Sequence, residues 1–254
     1  MKLSILIVIL FSNFLSYSQQ ITNTIIFDSI KNCKFSQLKF SYKQIIIPTI
    51  LIGYGIVGLE SGQIKSFNSE IKQEVGEHID EKISIDDFTQ YIPFTTAIGL
   101  DAMGIKGKNT LKDKSIILAT SYLLMGLTVN TFKKIASVER PDGSSFNSFP
   151  SGHTATAFMG AELLYQEYKN VSIWYGVSGY VVAAGTGIFR MYNNRHWLSD
   201  VAAGAGIGIL STKAAYWLFP TINKLFTKKS SKIKTVFIPY YDGKAASFGL
   251  ISKF

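Results

Sequence analysis

Apolar stretches recur along most of this chain, and they constrain its fold more than any other feature of the sequence. Six of them follow one another, at residues 45–59, 93–105, 115–132, 151–165, 171–189 and 197–219. Several approach the roughly 20 residues that a helix needs to cross a bilayer, whereas 93–105 is short. Charged residues make up only 17% of the chain, which is low for a soluble domain. The pattern predicts an all-α helical bundle of about five to six apolar helices.

The first 18 residues have the layout of a secretory signal peptide. Lys2 precedes an apolar run from Leu3 to Phe11, and the small residues Ser16 and Ser18 follow as in a cleavage site. We expect cleavage after Ser18. An uncleaved first membrane helix is the alternative, although the run is short for a complete span. Under either interpretation the chain is exported or inserted into a membrane.

The segment between this leader and the core combines an apolar stretch with an acidic insertion. Because Pro48 and several glycines interrupt residues 45–59, we predict that this stretch is re-entrant or lies on the membrane surface. Residues 60–90 are rich in acidic side chains. The positive-inside rule places the lysine-rich turn 106–114 in the cytoplasm, so residues 133–153 are expected on the external, periplasmic face.

The carboxy-terminal tail is predicted to be a basic segment with a β-hairpin. Residues 233–239 and 245–251 have an extended character and flank Asp242-Gly243, which is a frequent hairpin turn. A disordered basic tail is the alternative. The predicted order of segments is a signal peptide at 1–18, an N-terminal segment at 19–92, a helical core at 93–219 and the tail at 220–254.

Charge and cysteine content narrow the classes of partner. The net charge of +9 fits a nucleic acid, an anionic membrane surface or a phosphate site. No nucleic-acid motif accompanies the charge, so we expect no nucleic-acid partner. Cys33 is the only cysteine, which excludes an intramolecular disulfide and a multi-cysteine metal site.

A first polar segment places two cations at the end of an apolar stretch. Lys133 and Arg140 are seven residues apart, a spacing that puts both side chains on one face of a helix before Pro141 ends it. Two cations on one face suit a doubly charged phosphate. A pair of snorkelling interface cations is the alternative.

A second polar segment, Pro150-Ser151-Gly152-His153, precedes the next apolar stretch. Ser151 is expected to cap the helix that follows, whose free backbone N–H groups bind anions, and Gly152 lets the backbone approach closely. His153 would then lie beside the bound group and deliver a proton to a leaving oxygen. A capping role alone is the alternative.

A third polar segment contains Arg190, His196 and Asp200. Residues four apart lie on one face of a helix, so we expect the Asp200 carboxylate beside the His196 imidazole. The carboxylate would fix the tautomer that leaves the other ring nitrogen free as a nucleophile. A buried hydrogen-bonded pair without catalytic function is the alternative.

Together the three segments resemble the signature of the type 2 phosphatidic acid phosphatase superfamily, in its bacterial membrane lipid phosphatase branch. The signature Lys-x6-Arg-Pro, Pro-Ser-Gly-His and Ser-Arg-x5-His-x3-Asp is matched at 133–141, 150–153 and 190–200. Phe189 stands where the family usually has the serine, which removes one accessory hydroxyl. The resemblance covers roughly residues 93–219.

This resemblance implies a metal-independent phosphatase that acts on a lipid-linked phosphate or diphosphate, with no cofactor. It implies that His196 attacks phosphorus to form a phosphohistidine, that Asp200 supports it and that His153 protonates the leaving group. The residues that it implicates in phosphate binding are Lys133, Arg140, Ser151, Gly152 and Arg190. Candidate substrates are undecaprenyl diphosphate, phosphatidate, phosphatidylglycerol phosphate and lipid A phosphate.

Other classes of function stay open at this level. A soluble periplasmic acid phosphatase fits the signal peptide and the short apolar stretches, and a vanadate-dependent haloperoxidase would use the same anion cradle. A non-catalytic lipid head-group binding protein is a third alternative, but binding alone does not need the paired His196 and Asp200. The neighbouring Asp142, Asn193 and Arg195 are expected in solvated loops and caps, with substrate selection by Asp142 or Arg195 as an alternative.

Overall fold

The computed structural model describes residues 38, 40–76, 84–226, 234–241 and 246–253. The predicted signal peptide at 1–18 lies outside these residues. The prediction of a helical bundle is confirmed for the described core. Its helices are α1 (Tyr42–Glu60), α2 (Gly62–Gly76), α3 (Asp86–Thr89), α4 (Ile92–Ala102), α5 (Leu111–Ala136), α6 (Gly152–Tyr168), α7 (Ile173–Tyr192) and α8 (Leu198–Phe226).

Helix α6 forms the centre of the bundle. It packs against α4, α5, α7 and α8, and 13 of its 17 residues are buried. Most of these are small or apolar, among them three alanines and one glycine, which let four neighbours pack closely around one helix. The first turn of α6, which carries His153, is therefore held in a fixed position relative to α7 and α8.

Helices α6 and α8 approach until their backbones touch. The spacing of Gly204 and Gly208 is typical of such contacts between membrane helices. A Cβ atom at Gly208 would lie 2.3 Å from the carbonyl oxygen of Ala155, and one at Gly204 would lie 2.5 Å from that of Ser151. These glycines therefore serve the packing of the two helices. The same contact brings the Ser151 N–H to the Asp200 carbonyl oxygen, at 3.0 Å.

Residues 45–59 form part of one continuous helix, α1, so the expected break at Pro48 does not occur. The re-entrant or surface-lying placement of this stretch stays a prediction. Its glycines serve packing instead. A Cβ at Gly55 would lie 2.5 Å from the Cβ of Ala203, and one at Gly206 would lie 2.6 Å from the Pro48 carbonyl oxygen. The residues that suggested a helix break therefore allow α1 and α8 to lie side by side.

Within the described chain, α1 and α5 are the two helices that are long and apolar enough to cross a membrane. Large apolar side chains are exposed on both, among them Ile46, Ile47, Ile50, Tyr122, Leu123 and Leu127. Exposed apolar side chains along helices of this length fit contact with lipid. The exposed surface favours a protein that sits in a membrane over a soluble phosphatase.

The lysine-rich turn 106–114 is predicted to lie in the cytoplasm, where all its side chains would be exposed. One of its lysines is not exposed. Lys114 is completely buried, and its Nζ lies 2.6 Å from Asp101 Oδ2 and 3.0 Å from the Tyr168 hydroxyl. A buried lysine is tolerated because the carboxylate compensates its charge. Lys114 therefore joins α5 to α4 and α6 instead of contacting a cytoplasmic surface, and the orientation of the chain stays a prediction.

The tail contains two strands, β1 (Lys234–Tyr241) and β2 (Ala246–Lys253). They pair in antiparallel register, with Lys234 opposite Lys253 and Tyr241 opposite Ala246. The predicted turn at 242–243 lies outside the described residues.

Candidate active site

A cavity of about 350 Å³ lies where α6 begins and α7 ends. Its described lining residues are Ser84, Asp86, Asp87, Arg140, His153, Arg190, Asn193 and Arg195. Three of them, Arg140, His153 and Arg190, are residues that the sequence predicts for the site. The walls therefore present three guanidinium groups and an imidazole together with two carboxylates, a composition suited to binding an anion.

Arg140 reaches this cavity from a loop and not from a helix. Helix α5 ends at Ala136, where Ser137 adopts a left-handed conformation with a φ of 45°. The prediction that Lys133 and Arg140 share a helix face is therefore wrong. A tight turn replaces the helix, in which the Arg140 N–H donates to the Ser145 carbonyl oxygen at 2.9 Å.

Lys133 lies in the last turn of α5 and is not among the residues that line the cavity. Its Nζ donates to the carbonyl oxygen of Asn147 at 2.6 Å, next to Ser148 in the loop that leads to α6. Its positive charge still acts on the buried His196. Lys133 therefore ties the loop to α5 while contributing to the positive potential of the site.

Helix α6 begins as predicted. The Ser151 backbone is extended and its Oγ accepts from the Thr154 N–H at 3.5 Å, so the prediction of an N-cap is confirmed. Gly152 is the first residue of the helix, and His153 follows in the first turn, outside both candidate spans. The His153 side chain is 31% exposed, and its Nε2 lies 2.9 Å from Asp87 Oδ1.

His196 is buried in the loop between α7 and α8, with its side chain 2% exposed. Because α8 begins only at Leu198, His196 and Asp200 do not share a helix face, and that prediction is wrong. They meet because Asp200 caps the start of α8, where its Oδ2 accepts from the Trp197 N–H at 2.9 Å. His196 Nδ1 lies 3.7 Å from the same Oδ2 atom, which is longer than a hydrogen bond.

Ser148 links the imidazole to the carboxylate, and the sequence analysis missed it. Its Oγ donates to Asp200 Oδ2 at 2.5 Å and lies 3.5 Å from His196 Nδ1. The hydroxyl oxygen and the carboxylate both face Nδ1, so they favour the tautomer that carries its proton there and leaves Nε2 with a free lone pair. No sequence signal identifies Ser148, because a serine two residues before Pro150 belongs to none of the three motifs.

The two histidines differ in environment. Burial lowers the pKa of His196 to about 4; Arg190 and Lys133 act in the same direction, and Asp200 opposes them. At neutral pH His196 is therefore an uncharged imidazole with a lone pair for nucleophilic attack. Burial and Arg190 also lower the pKa of His153, but there the Asp87 carboxylate raises it.

Two aspartates from the acidic segment complete the cavity, and the sequence analysis missed both. Asp86 is 1% exposed; its Oδ2 accepts from Arg190 Nη1 at 2.5 Å and its Oδ1 accepts from Asn193 Nδ2 at 3.0 Å. Asn193 caps the carboxyl end of α7, one of the two roles expected for it, and is buried there. Arg195 lines the cavity and pairs with Asp142 at 3.1 Å. The sequence signal for the aspartates was the acidic Asp86-Asp87 pair directly before the first core helix.

Asp86, Asp87 and His153 offer ligand atoms within 4.8 Å of one another, close enough to surround a metal ion. Arg190 Nη1 already lies 2.5 Å from Asp86 Oδ2, so a metal ion would have to displace a buried guanidinium group. We therefore assign this cluster to ion pairs.

Two N–H groups on the arginines of this cavity are buried without a hydrogen-bond partner among the described residues. They are Arg140 Nε and Arg190 Nε. A buried donor without an acceptor costs about 1–3 kcal/mol, and an oxyanion is the acceptor that guanidinium groups bind best. Both arginines line the cavity, so an anion bound there would meet positive charge.

The eight predicted site residues lie at one end of the bundle in two groups. Arg140, His153 and Arg190 line the cavity, and Ser151 and Gly152 begin the helix beside it. The second group, Lys133, His196 and Asp200, does not line this cavity. Backbone hydrogen bonds join the groups, since the His196 N–H donates to the Arg190 carbonyl oxygen at 3.3 Å and the Ser151 N–H to that of Asp200 at 3.0 Å.

Comparisons with known proteins agree with the motif pattern. Residues 114–224 match the family model of the PAP2 superfamily. Over 135 residues the chain is 45% identical to the lipid A 1-phosphatase of Porphyromonas gingivalis, covering 53% of this chain and 30% of that protein. Over 78 residues it is 36% identical to the bacitracin transport permease protein BcrC of Bacillus licheniformis, covering 30% of this chain and 36% of that protein. The chain thus spans well under half the length of either relative.

Two solved structures are similar as well. LpxE of Aquifex aeolicus superimposes with a TM-score of 0.46 at 23% identity, over 59% of this chain and 94% of that one. The transmembrane PAP2 type phosphatidylglycerolphosphate phosphatase of Bacillus subtilis superimposes with a TM-score of 0.46 at 20% identity, over 75% of this chain and 100% of that one.

Proposed function

We propose that this chain, whose residues 114–224 match the family model of the PAP2 superfamily, is a phosphatase that removes phosphate from a membrane lipid. The observation that carries the proposal is the cavity whose walls bring the guanidinium groups of Arg140 and Arg190 together with the imidazole of His153. A phosphoryl group offers several acceptor oxygens and the charge that these side chains would neutralise.

A lipid substrate accounts for the apolar exterior of the bundle. The cavity lies at one end of helices whose outer surface is apolar, so a lipid would place its head group in the cavity and its chains in the membrane. The relative that is 45% identical is named a lipid A 1-phosphatase. We therefore rank a lipid A type 1-phosphate first, ahead of phosphatidate, phosphatidylglycerol phosphate and undecaprenyl diphosphate.

The first step of the proposed reaction transfers the phosphoryl group to His196. Its Nε2 lone pair attacks phosphorus, the bond from phosphorus to the lipid oxygen breaks, and protonated His153 gives a proton to the departing oxygen. The imidazole gains positive charge in this step, and the Asp200 carboxylate and the Ser148 hydroxyl are placed to stabilise it. Arg140 and Arg190 hold the non-bridging oxygens.

The second step hydrolyses the phosphohistidine. His153, now neutral, accepts a proton from water while the water oxygen attacks phosphorus. The bond from phosphorus to His196 Nε2 breaks and its electron pair returns to the ring, which releases inorganic phosphate and restores both histidines. Both steps are accelerated by the positioning of the reacting groups and by fixed positive charges that stabilise the phosphoryl oxygens, as expected for phosphoryl transfer.

The pH profile of kcat/KM is expected to have its acid limb near pH 4. Below the His196 pKa of about 4 the nucleophile is protonated, so the rate falls about tenfold per pH unit there; above it the lone pair is free. Initial rates on a soluble phosphomonoester, with circular dichroism at each pH to verify folding, measure this limb. An acid limb near pH 6.5, the ordinary value for histidine, would contradict a nucleophile kept neutral by burial.

The proposal is tested by phosphate release from the detergent-solubilised chain. We expect release from at least one of the four lipid phosphates, with the rate unchanged by a chelator. Loss of the activity in chelator would overturn the metal-independent mechanism. Vanadate binding without turnover of any of the four lipids would favour a non-catalytic head-group binding protein.

A further inference from the structure

We infer that Asp87, which lies outside the three sequence motifs, is a positioning residue that holds and orients His153 for its role as the general acid. The inference rests on the proposed function and extends it to the acidic segment before α4. It makes the loop and short helix around residues 84–89 a fourth part of the active site.

The contact between Asp87 and His153 is direct. Asp87 Oδ1 lies 2.9 Å from His153 Nε2 and 3.8 Å from Arg190 Nη1. The Asp87 side chain is 55% exposed, so it contributes little to packing of the core. A protonated imidazole has two N–H groups. When the Nε2–H of His153 bonds to the Asp87 carboxylate, the Nδ1–H is left to donate its proton to the departing oxygen.

The backbone that carries Asp87 is anchored on both sides of the contact. Its neighbour Asp86 is buried and bonded to Arg190 and Asn193. Two residues after Asp87, Thr89 Oγ1 lies 2.9 Å from Thr186 Oγ1 of α7. With α3 held against α7 in this way, the Asp87 carboxylate has a defined position beside the first turn of α6.

The charges around His153 explain why it needs this carboxylate. Arg190 of α7 and the loop residues Arg140 and Arg195 line the cavity with it, and Asp86 and Asp87 of α3 oppose them. Asp86 is already engaged with Arg190. Burial and the Arg190 charge lower the pKa of His153, whereas the Asp87 contact raises it. Without Asp87, His153 would lose its proton at a lower pH.

A competing interpretation predicts the opposite sign. Asp87 contacts two groups, His153 and Arg190, that the proposed phosphate would also use. If the carboxylate were an internal competitor for the anion, its removal would tighten anion binding and lower KM. The positioning role instead lowers kcat and leaves KM nearly unchanged.

The test compares Asp87→Asn and Asp87→Glu with the control Glu70→Gln, an exposed carboxylate of α2 outside the cavity. For Asp87→Asn on a lipid phosphate we expect a fall in kcat of about tenfold to hundredfold and a basic limb about one pH unit lower. Asp87→Glu should recover part of this loss, and Glu70→Gln should behave as wild type. In the pre-steady-state burst on p-nitrophenyl phosphate, which reports the first step alone and whose leaving group needs no proton, the Asp87→Asn defect should nearly disappear.

An equal loss of the first-step rate on both substrates, or a lower KM with tighter vanadate binding, would overturn the inference. NMR titration of the histidine rings in the full chain tests the positioning role of Asp87 without measuring turnover. The His153 resonance should titrate at lower pH in Asp87→Asn than in wild type. An unchanged titration would refute the positioning role. Absence of phosphatase activity in the wild-type chain would refute the proposed function alone.

Discussion

His196→Gln is expected to lower kcat for phosphate release by about 10⁴-fold or more, because it removes the atom that bonds to phosphorus. Glutamine is polar and close in size to histidine, so the buried site next to Ser148 and Asp200 should keep its shape. Initial rates on a lipid phosphate and on p-nitrophenyl phosphate measure the loss. A good leaving group does not replace a nucleophile, so both substrates should be affected equally.

The matched control is His78→Gln, the same change at a histidine that belongs to none of the three motifs. We expect its activity to stay within about twofold of wild type, because this change removes no residue of the three motifs. Retention of more than a few per cent of activity in His196→Gln, with an unchanged melting temperature, would contradict the role of His196 as nucleophile.

Arg190→Gln is expected to lower kcat/KM by about 10²–10³-fold and also to destabilise the protein. The first effect follows from losing a preorganised donor to the phosphoryl oxygens. The second follows because Asp86, 1% exposed, loses the guanidinium group 2.5 Å away, and an uncompensated buried charge costs about 3–5 kcal/mol. Thermal unfolding in detergent and initial rates measure the two effects separately.

The double variant Arg190→Gln with Asp86→Asn separates stability from catalysis. It removes both charges of the buried pair, so the melting temperature should return toward that of wild type. Phosphate release should stay low, since neither amide replaces the Arg190 donor. Recovery of activity together with stability would mean that Arg190 serves only to neutralise Asp86.

The sequence predicted the helical bundle and much of the site because local rules governed those features. Ser151 caps α6 as its position before an apolar stretch indicates, and Gly204 and Gly208 mark where α6 and α8 touch. Both patterns depend on neighbours in sequence or on helical spacing. Arg140, His153 and Arg190 were predicted by motif and meet at one cavity.

The wrong predictions concern chain geometry that spacing alone does not determine. Lys133 and Arg140 satisfy a helical repeat, but Ser137 ends the helix between them with a positive φ. His196 and Asp200 satisfy an i, i+4 spacing, yet the helix begins after His196. In both cases the loop brings the side chains to the same end of the bundle by another path.

Ser148 and the two aspartates could not be predicted because their partners are distant in sequence. Ser148 donates to a carboxylate 52 residues away, and Asp86 pairs with an arginine 104 residues away. Such contacts result from the packing of whole helices, and the serine and aspartates have no spacing rule of their own. The acidic composition of residues 60–90 is evident from the sequence. It does not indicate that two of these acidic residues line the cavity.

The central claim is a covalent bond between phosphorus and His196, and trapping this species tests it most directly. His153→Gln should accept a phosphoryl group from p-nitrophenyl phosphate, which needs no general acid, but should hydrolyse the intermediate slowly because His153 no longer activates water. Mass spectrometry after alkaline quenching is predicted to find one phosphoryl group on the peptide that contains His196, and none when His196→Gln is added. A phosphoryl group on another residue, or nitrophenol release with no phosphoenzyme at any time, would contradict the mechanism.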